Sequence, residues 1–155
     1  MRKILTVAAM LMATSAFADG VSTIQIEDTV MVKAFENARA AGGYMTIMNT
    51  GTEDDLLVDV KIEGHMAMIH ESREDDGVMR MLHVDAVEVP AEGMVSFAPG
   101  GFHVMVMGLK PGELPYGELV EATLIFDRAG EVPVTFEVSE KGMRGMAHGN
   151  QAKTN

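Results

Sequence analysis

The 155-residue sequence predicts an all-β sandwich or barrel. Apolar and polar residues alternate in short runs, which is the pattern of strands with one buried face. Glycine, proline and aspartate interrupt these runs about every ten residues, as in sandwiches and barrels. A helix is expected, if anywhere, only over the short stretch 34–41. The length suits one domain whose core is large enough to fold unaided.

The alternation places the predicted strands in a definite order along the chain. They cover residues 22–33, 43–49, 56–62, 65–71, 78–89 with a break, 93–97, 102–107, 118–126 and 132–138. The segments between them, among them NTGTEDD, SREDDG, VPAEG and KPGELPYG, are rich in residues that favour turns.

The two ends of the chain differ from this pattern. Residues 1–18 have two basic residues, an apolar run to about Ala13 and a small-x-small motif ending at Ala18, which predicts a secretory signal peptide. The run is shorter than the roughly 20 residues of a membrane anchor, so no stable membrane insertion is expected after cleavage. Residues 19–138 are assigned to the β-sandwich, and the polar, glycine-rich stretch 139–155 is predicted to be a flexible tail.

Composition excludes several classes of function. Residues 1–18 contain two of the 12 basic and none of the 23 acidic residues, so their removal leaves a formal net charge of −13. Such a charge repels phosphate backbones and argues against a nucleic-acid partner. Cysteine is absent, so no disulfide, thiolate nucleophile or lipid-modified cysteine is available. No G-x-S-x-G motif or other nucleophile–base pair is found, so an enzyme is not expected.

Methionine is the unusual residue. Twelve of the 15 methionines follow residue 18. Four of them have no nearby histidine and are predicted to fill the core: Met31, Met45, Met48 and Met94. In FHVMVM (102–107), however, His103 and Met105 leave the same face of a strand, roughly 6.6–7 Å apart.

A second His/Met cluster occupies HMAMIHESREDDGVMRMLH, residues 65–83. If SREDDG is the hairpin loop and Glu71 pairs with Val78, His70 lies opposite Met79. A shift of one residue places it opposite Arg80 instead. His83 is interpreted as a bystander, and strand packing accounts for Met66 and Met68, with an auxiliary site as the alternative.

Histidine and methionine together indicate copper. Thioether sulfur is a soft, uncharged donor that selects Cu(I), with imidazole as a compatible partner. Zinc sites more often use cysteine, histidine and carboxylate. A blue-copper electron carrier also needs a cysteine thiolate, so copper binding and transfer are favoured over electron transfer.

The spacing of four residues resembles that of a known family. His70 is followed after ten residues by Met81, then after 21 by His103 and after one by Met105, within the motifs DDGVMRM, PAEG and PGGFHVMVMGLK. From about Thr23 to Val138 the chain resembles the periplasmic copper chaperones of the PCu(A)C family. The resemblance implies a cupredoxin-like Greek-key sandwich in which His70, Met81, His103 and Met105 bind Cu(I). It also implies delivery to the binuclear copper centre of cytochrome c oxidase, whose subunit or another copper-assembly protein is the expected partner.

Several alternatives stay open from the sequence. Met79 is a substitute for Met81 on the predicted register. Family members with His/Met-rich tails bind copper through them, and Met143, Met146 and His148 are a sparse version of this feature, with Cu(II) as the further ion considered there. The competing functions are a copper-dependent redox enzyme and a copper-sequestering resistance protein.

Overall fold

The computed structural model describes residues 23–140, in which ten strands and no helix are found. The strands are β1 (Ile24–Val32), β2 (Ala40–Asn49), β3 (Asp55–Ile62), β4 (Met66–Asp75), β5 (Val78–His83), β6 (Val87–Val89), β7 (Gly93–Phe97), β8 (Phe102–Met107), β9 (Leu119–Phe126) and β10 (Gly130–Ser139). Over this range nothing helical is long and apolar enough to cross a membrane. The predicted signal peptide and the tail methionines and histidine lie outside the described residues.

The strands form one sheet that folds back on itself. Their order is β5-β4-β8-β7-β2-β1-β10-β9-β3-β6, and β8 also pairs with β2. Most pairs are antiparallel, while β1 runs parallel to β10 and β7 to β8. Strands from the two halves of this order also meet, because β3 contacts β4 and β6 contacts β7. The result is a two-layered β structure with an inner and an outer face.

Alternation along the strands separates these faces. In β8, Val104 and Val106 are fully buried, whereas His103 and Met105 leave the opposite face. β2 shows the same period of two, with Met45 and Ile47 fully buried. The inner face packs these side chains against those of the other wall, among them Leu57, Phe97, Leu124 and Phe136. The predicted division of FHVMVM into an apolar and a His/Met face is therefore confirmed.

The helix expected over 34–41 is wrong. Residues 34–39 form turns and bends, with Ala38 N–H donating to Phe35 O at 2.9 Å, and β2 already begins at Ala40. Ala40 and Ala41 pair with Met107 and Val106 of β8. Eight residues are too few for a helix to form without tertiary support, and the ladder with β8 satisfies the same backbone groups.

The β4–β5 hairpin is longer than the sequence suggested. Its turn is only Asp76–Gly77, at φ 52° and 77°, so SRED belongs to β4 and Asp75 pairs with Val78. Two successive residues at positive φ are the signature of a two-residue type I′ turn. The predicted pairing of Glu71 with Val78 is therefore wrong by four residues.

Methionine burial is mixed. Met31 and Met45 are fully buried, which confirms their role as core residues. Met94 is 63% exposed, so its prediction as a core residue is wrong. It is the Cα partner of Met48, and both belong to the outer face. The alternation correctly predicted which residues share a face. In β7, however, the buried face is that of Phe97, and the face of Met94 is exposed.

We expect Gly77→Ala to destabilise the protein by about 1 kcal/mol. A Cβ at this position meets no atom within 4 Å, so the cost arises from the left-handed backbone alone. Urea unfolding would measure it. Gly101→Ala is the matched control, because its backbone is not left-handed and its nearest contact is an ordinary 3.6 Å. Equal effects of the two substitutions would contradict the assigned turn.

Candidate metal centre

Three neighbouring strands bring three histidines into one row. β4 pairs with β5 on one side and with β8 on the other. His70 is the Cα partner of His83 on β5 and of His103 on β8. Its ring centroid lies 5.8 Å from that of His83 and 5.9 Å from that of His103, both edge-on. Directly opposed residues project from the same face, so the three rings share the outer face.

Two methionines complete a rectangle with two of these histidines. Met68 and Met105 are Cα partners, two residues along the strands from the pair His70 and His103. The two rows are therefore about 6.6–7 Å apart on the same face. Both methionines are partly buried. These four residues, His70, His103, Met68 and Met105, place two imidazoles and two thioethers together on the outer face.

Met81 occupies a different corner of the face. It is the Cα partner of Ser72, on the far side of the histidine row from Met105 and one strand further from His103. Its side chain is 53% exposed. Of the four ligands predicted from spacing, His70, His103 and Met105 are therefore neighbours, and Met81 borders His70 only diagonally.

His103 is held in place by its surroundings. It is only 5% exposed although it belongs to the outer face, because the ring of Tyr44 lies 6.3 Å away on one side and that of His70 on the other. Its Nδ1 is 3.2 Å from Gly101 O. A carbonyl only accepts, so this contact assigns the ring proton to Nδ1 and leaves the Nε2 lone pair as a donor to a metal. Burial also raises the pKa of Tyr44, which keeps the phenol neutral.

His70 carries a buried nitrogen without a hydrogen-bond partner. Its Nδ1 is the one such buried side-chain nitrogen or oxygen found within residues 23–140. Burial lowers the pKa of this imidazole, and the neighbouring His103 and His83 lower it further. A neutral imidazole with an unsatisfied nitrogen is suited to bind a metal ion, because the ion supplies the missing partner.

The donor set restricts which metal fits. Across residues 23–140, no three histidine, aspartate or glutamate side chains are grouped so that they could hold a metal between them. The side chains directly adjacent to His70 and His103 in the next row of this face are the thioethers of Met68 and Met105. Two imidazoles with two thioethers suit Cu(I) and are poor ligands for Mg²⁺ or Ca²⁺.

Sequence reasoning named Met68 and His83 but left both out of the ligand set, with Met68 assigned to strand packing and His83 interpreted as a bystander. Both follow the same period of two as the predicted ligands, Met68 two residues before His70 and His83 two after Met81. That alternation was visible. The register was not, because SREDDG has turn-forming composition while its first four residues extend β4.

Fold and face together define a PCuAC-type domain. The copper-bound PCuAC domain from PmoF2 is 28% identical with a TM-score of 0.63, over 77% of this chain and 94% of that one. The apo PCuAC domain from PmoF1 is 27% identical with a TM-score of 0.63, over 77% and 95%. Cu(I)-bound DR1885 from Deinococcus radiodurans is 26% identical with a TM-score of 0.53, over 81% and 83%. The predicted all-β class and the resemblance to this family are confirmed.

Within this class the chain belongs to the LpqE-like family, whose model, "Putative lipoprotein LpqE-like", matches residues 24–138. A curated relative, "Putative lipoprotein Lxx21020" of Leifsonia xyli subsp. xyli, is 30% identical over 109 residues. That match covers 66% of this chain and 65% of the relative. Through its similarity to the PCuAC domains, the chain is homologous to copper-binding domains.

The lowered pKa of His70 predicts a pH-dependent stability of the metal-free protein. Between the folded pKa and the unfolded value of about 6.5, the unfolded chain binds more protons at this site. The free energy of unfolding should therefore fall as the pH is lowered below about 6.5 and be unaffected by His70 above it. Urea titrations at several pH values would measure this.

His70→Gln is the matched variant for that measurement. It removes the titrating group, so its stability should decline less than that of the parent protein between pH 7.5 and 5.5. Parallel pH profiles of the two proteins would show that His70 contributes nothing to the linkage.

Proposed function

We propose that this protein is a copper chaperone that binds Cu(I) on the outer His/Met face and passes it on by ligand exchange. The observation that carries the proposal is the pairing of His70 with His103 beside Met105, with a buried His70 nitrogen that lacks any protein partner. The kinship with copper-binding PCuAC domains supports the same function.

The proposed ligands are His70, Met81, His103 and Met105. His70 and His103 give neutral nitrogen donors, and Met105 gives the first thioether from the neighbouring row. Met81 is the fourth ligand expected from the family spacing, and it reaches the ion from the exposed strand β5. Met68 is the Cα partner of Met105 and borders these ligands on the same face.

A carrier suits this ligand set better than an enzyme does. All of these donors are uncharged when they bind, so release of the ion leaves no buried negative charge behind. A redox enzyme would stabilise Cu(II), which prefers more nitrogen and oxygen donors. The copper-binding relatives are likewise binding domains rather than enzymes. Each tenfold difference in affinity between donor and acceptor is worth about 1.4 kcal/mol, so modest differences direct the transfer.

We further propose that the protein acts in the periplasm and supplies copper to respiratory oxidase assembly. The export pattern of residues 1–18 and the lipoprotein-like family support an exported protein. The acceptor in this proposal is the binuclear copper centre of cytochrome c oxidase or an assembly protein that loads it. The family resemblance is the basis for this acceptor.

An anaerobic Cu(I) titration against a competing chromophoric chelator tests the binding. The chain from residue 19 onward should bind one tight equivalent. His103→Ala/Met105→Leu should weaken binding by at least about tenfold, since even loss of a residue that only orients a ligand costs that much. Met94→Leu is the control, because this methionine is exposed on the same face but outside the site. Absence of a tight equivalent in the parent protein would rule out the copper function.

The affinity should also depend on pH. Protons compete with Cu(I) for imidazole but not for thioether, and the lowered pKa of His70 allows this ligand to stay neutral in mildly acidic solution. Affinity should hold from pH 7.5 to about 6.5 and weaken at lower pH, where protonation of His70 competes with the metal ion. The same chelator competition, repeated from pH 7.5 to 5, measures it. A flat profile over that range would contradict histidine ligation.

A further inference from the structure

The outer face carries a further methionine pair beyond the proposed ligands. Met66 and Met107 are Cα partners on β4 and β8, in the row next to Met68 and Met105. Successive rows on one face of a sheet are about 6.6–7 Å apart. Along this strand pair, a row of two histidines is therefore followed by two rows of two methionines each. The last of these rows contains no residue of the proposed ligand set.

Strand alternation places three of these methionines together. Ala67 and Val106 are Cα partners between the two methionine rows, and both pack against the core. Because successive side chains point to opposite faces, Met66, Met68 and Met107 all project from the outer face. We call these three residues the methionine triad.

The spacing within the triad suits a single ion. Met66 and Met107 are directly opposed, which places their Cβ atoms about 4.5–5.5 Å apart. Met68 is diagonal to Met107, at about 7–8 Å. Sulfurs that share an ion lie at most about 4.6 Å apart, given metal–sulfur bonds of about 2.3 Å. The long, freely rotating side chain of methionine closes these gaps without movement of the backbone.

Packing alone does not explain the triad. Met66 is 62% exposed, and Met68 and Met107 are partly buried. Met31 and Met45 fill the core and are fully buried. A side chain as exposed as Met66 gains little from burial, so its thioether is available to a ligand from solution.

The strands beside the triad leave it uncovered. On β2, the Cα partner of Met107 is Ala40, whose methyl group is too small to cover a thioether. On the other side of β4, the pairing with β5 ends where His83 meets His70, so no β5 residue is paired with Met66. An ion therefore reaches the triad directly from solution.

We propose that the methionine triad is a second Cu(I) site, weaker than the first and built from thioethers alone. Thioether sulfur is a soft, uncharged donor that selects Cu(I). Over residues 23–140, no group of three histidine, aspartate or glutamate side chains could hold a harder metal instead. Binding forms three Cu–S bonds and releases no proton. The triad lacks imidazole and is open to water, so its affinity is the lower of the two. The site goes beyond the proposed function, because it uses none of the four proposed ligands.

An anaerobic Cu(I) titration with a chelator weaker than the one used for the tight equivalent tests this site. The chain from residue 19 onward should bind two equivalents. Met66→Leu/Met107→Leu should lower the affinity for the second by at least about tenfold, the cost of losing even an orienting residue. The first should stay within about twofold, well below the tenfold that corresponds to about 1.4 kcal/mol. Leucine is close to methionine in volume, so the variant removes sulfur with little change in packing.

Met48→Leu/Met94→Leu is the matched control. These methionines are also Cα partners on the outer face, one partly buried and the other 63% exposed. The adjacent row holds Thr46 and Ser96 in place of further methionines, so both equivalents should be kept. A parent protein that binds only one equivalent would overturn the proposal. So would a second equivalent that survives in Met66→Leu/Met107→Leu, or one that the two double variants weaken equally.

His103→Ala/Met105→Leu separates the triad from the proposed function. This variant should lose the tight equivalent and keep the weaker one. Loss of both equivalents would contradict a separate thioether site. Absence of the tight equivalent from the parent protein would refute the proposed function, whereas the effect of Met66→Leu/Met107→Leu on the weaker equivalent would still decide the triad.

Discussion

The candidate site depends on the pairing of β4 with a neighbour along both of its edges. The β8 pairing places His103 and Met105 opposite His70 and Met68, and the β5 pairing places His83 opposite His70. A shift of one residue on either side would move a histidine to the inner face, against Val104 and Val106. The burial of that apolar face therefore fixes the positions of polar donors that do not touch it. In this way the hydrophobic effect, which has no direction of its own, determines which histidines and methionines share the outer face.

The rigidity of this arrangement decreases from β8 towards β5. β8 has partners on both sides, fully buried residues beneath it, and a histidine confined by Tyr44 and Gly101. β5 pairs only with β4, and none of its residues is buried. Strands with few buried contacts open locally at low free energy cost. His103 on a buried strand and Met81 on an exposed strand thus lie two strands apart on the same surface.

Most of the fold followed from the alternation, because a period of two is a local property of the chain. The division of FHVMVM into two faces, the break between β5 and β6 and the core positions of Met31 and Met45 are of this kind. The turn Asp76–Gly77 was hidden because four strand residues before it have turn-forming composition. Register depends on the turn, so the partners of Met81 and His83 could not be deduced. The exposure of Met94 depends on which strands lie above it, and no local pattern records that.

The exposure of Met81 on β5 has a chemical consequence in an oxidising compartment. Oxidation of a thioether to the sulfoxide replaces a soft sulfur donor by a polar group with a hard oxygen. Met79 and Met81 are more than half exposed and therefore accessible to oxidants in solution, whereas Met68 and Met105 are partly buried. Oxidation should therefore remove the soft thioethers of the exposed edge before it reaches Met68 and Met105. Because methionine sulfoxide can be reduced enzymatically, such a loss is reversible, and a repair enzyme would restore the damaged edge without unfolding the chain.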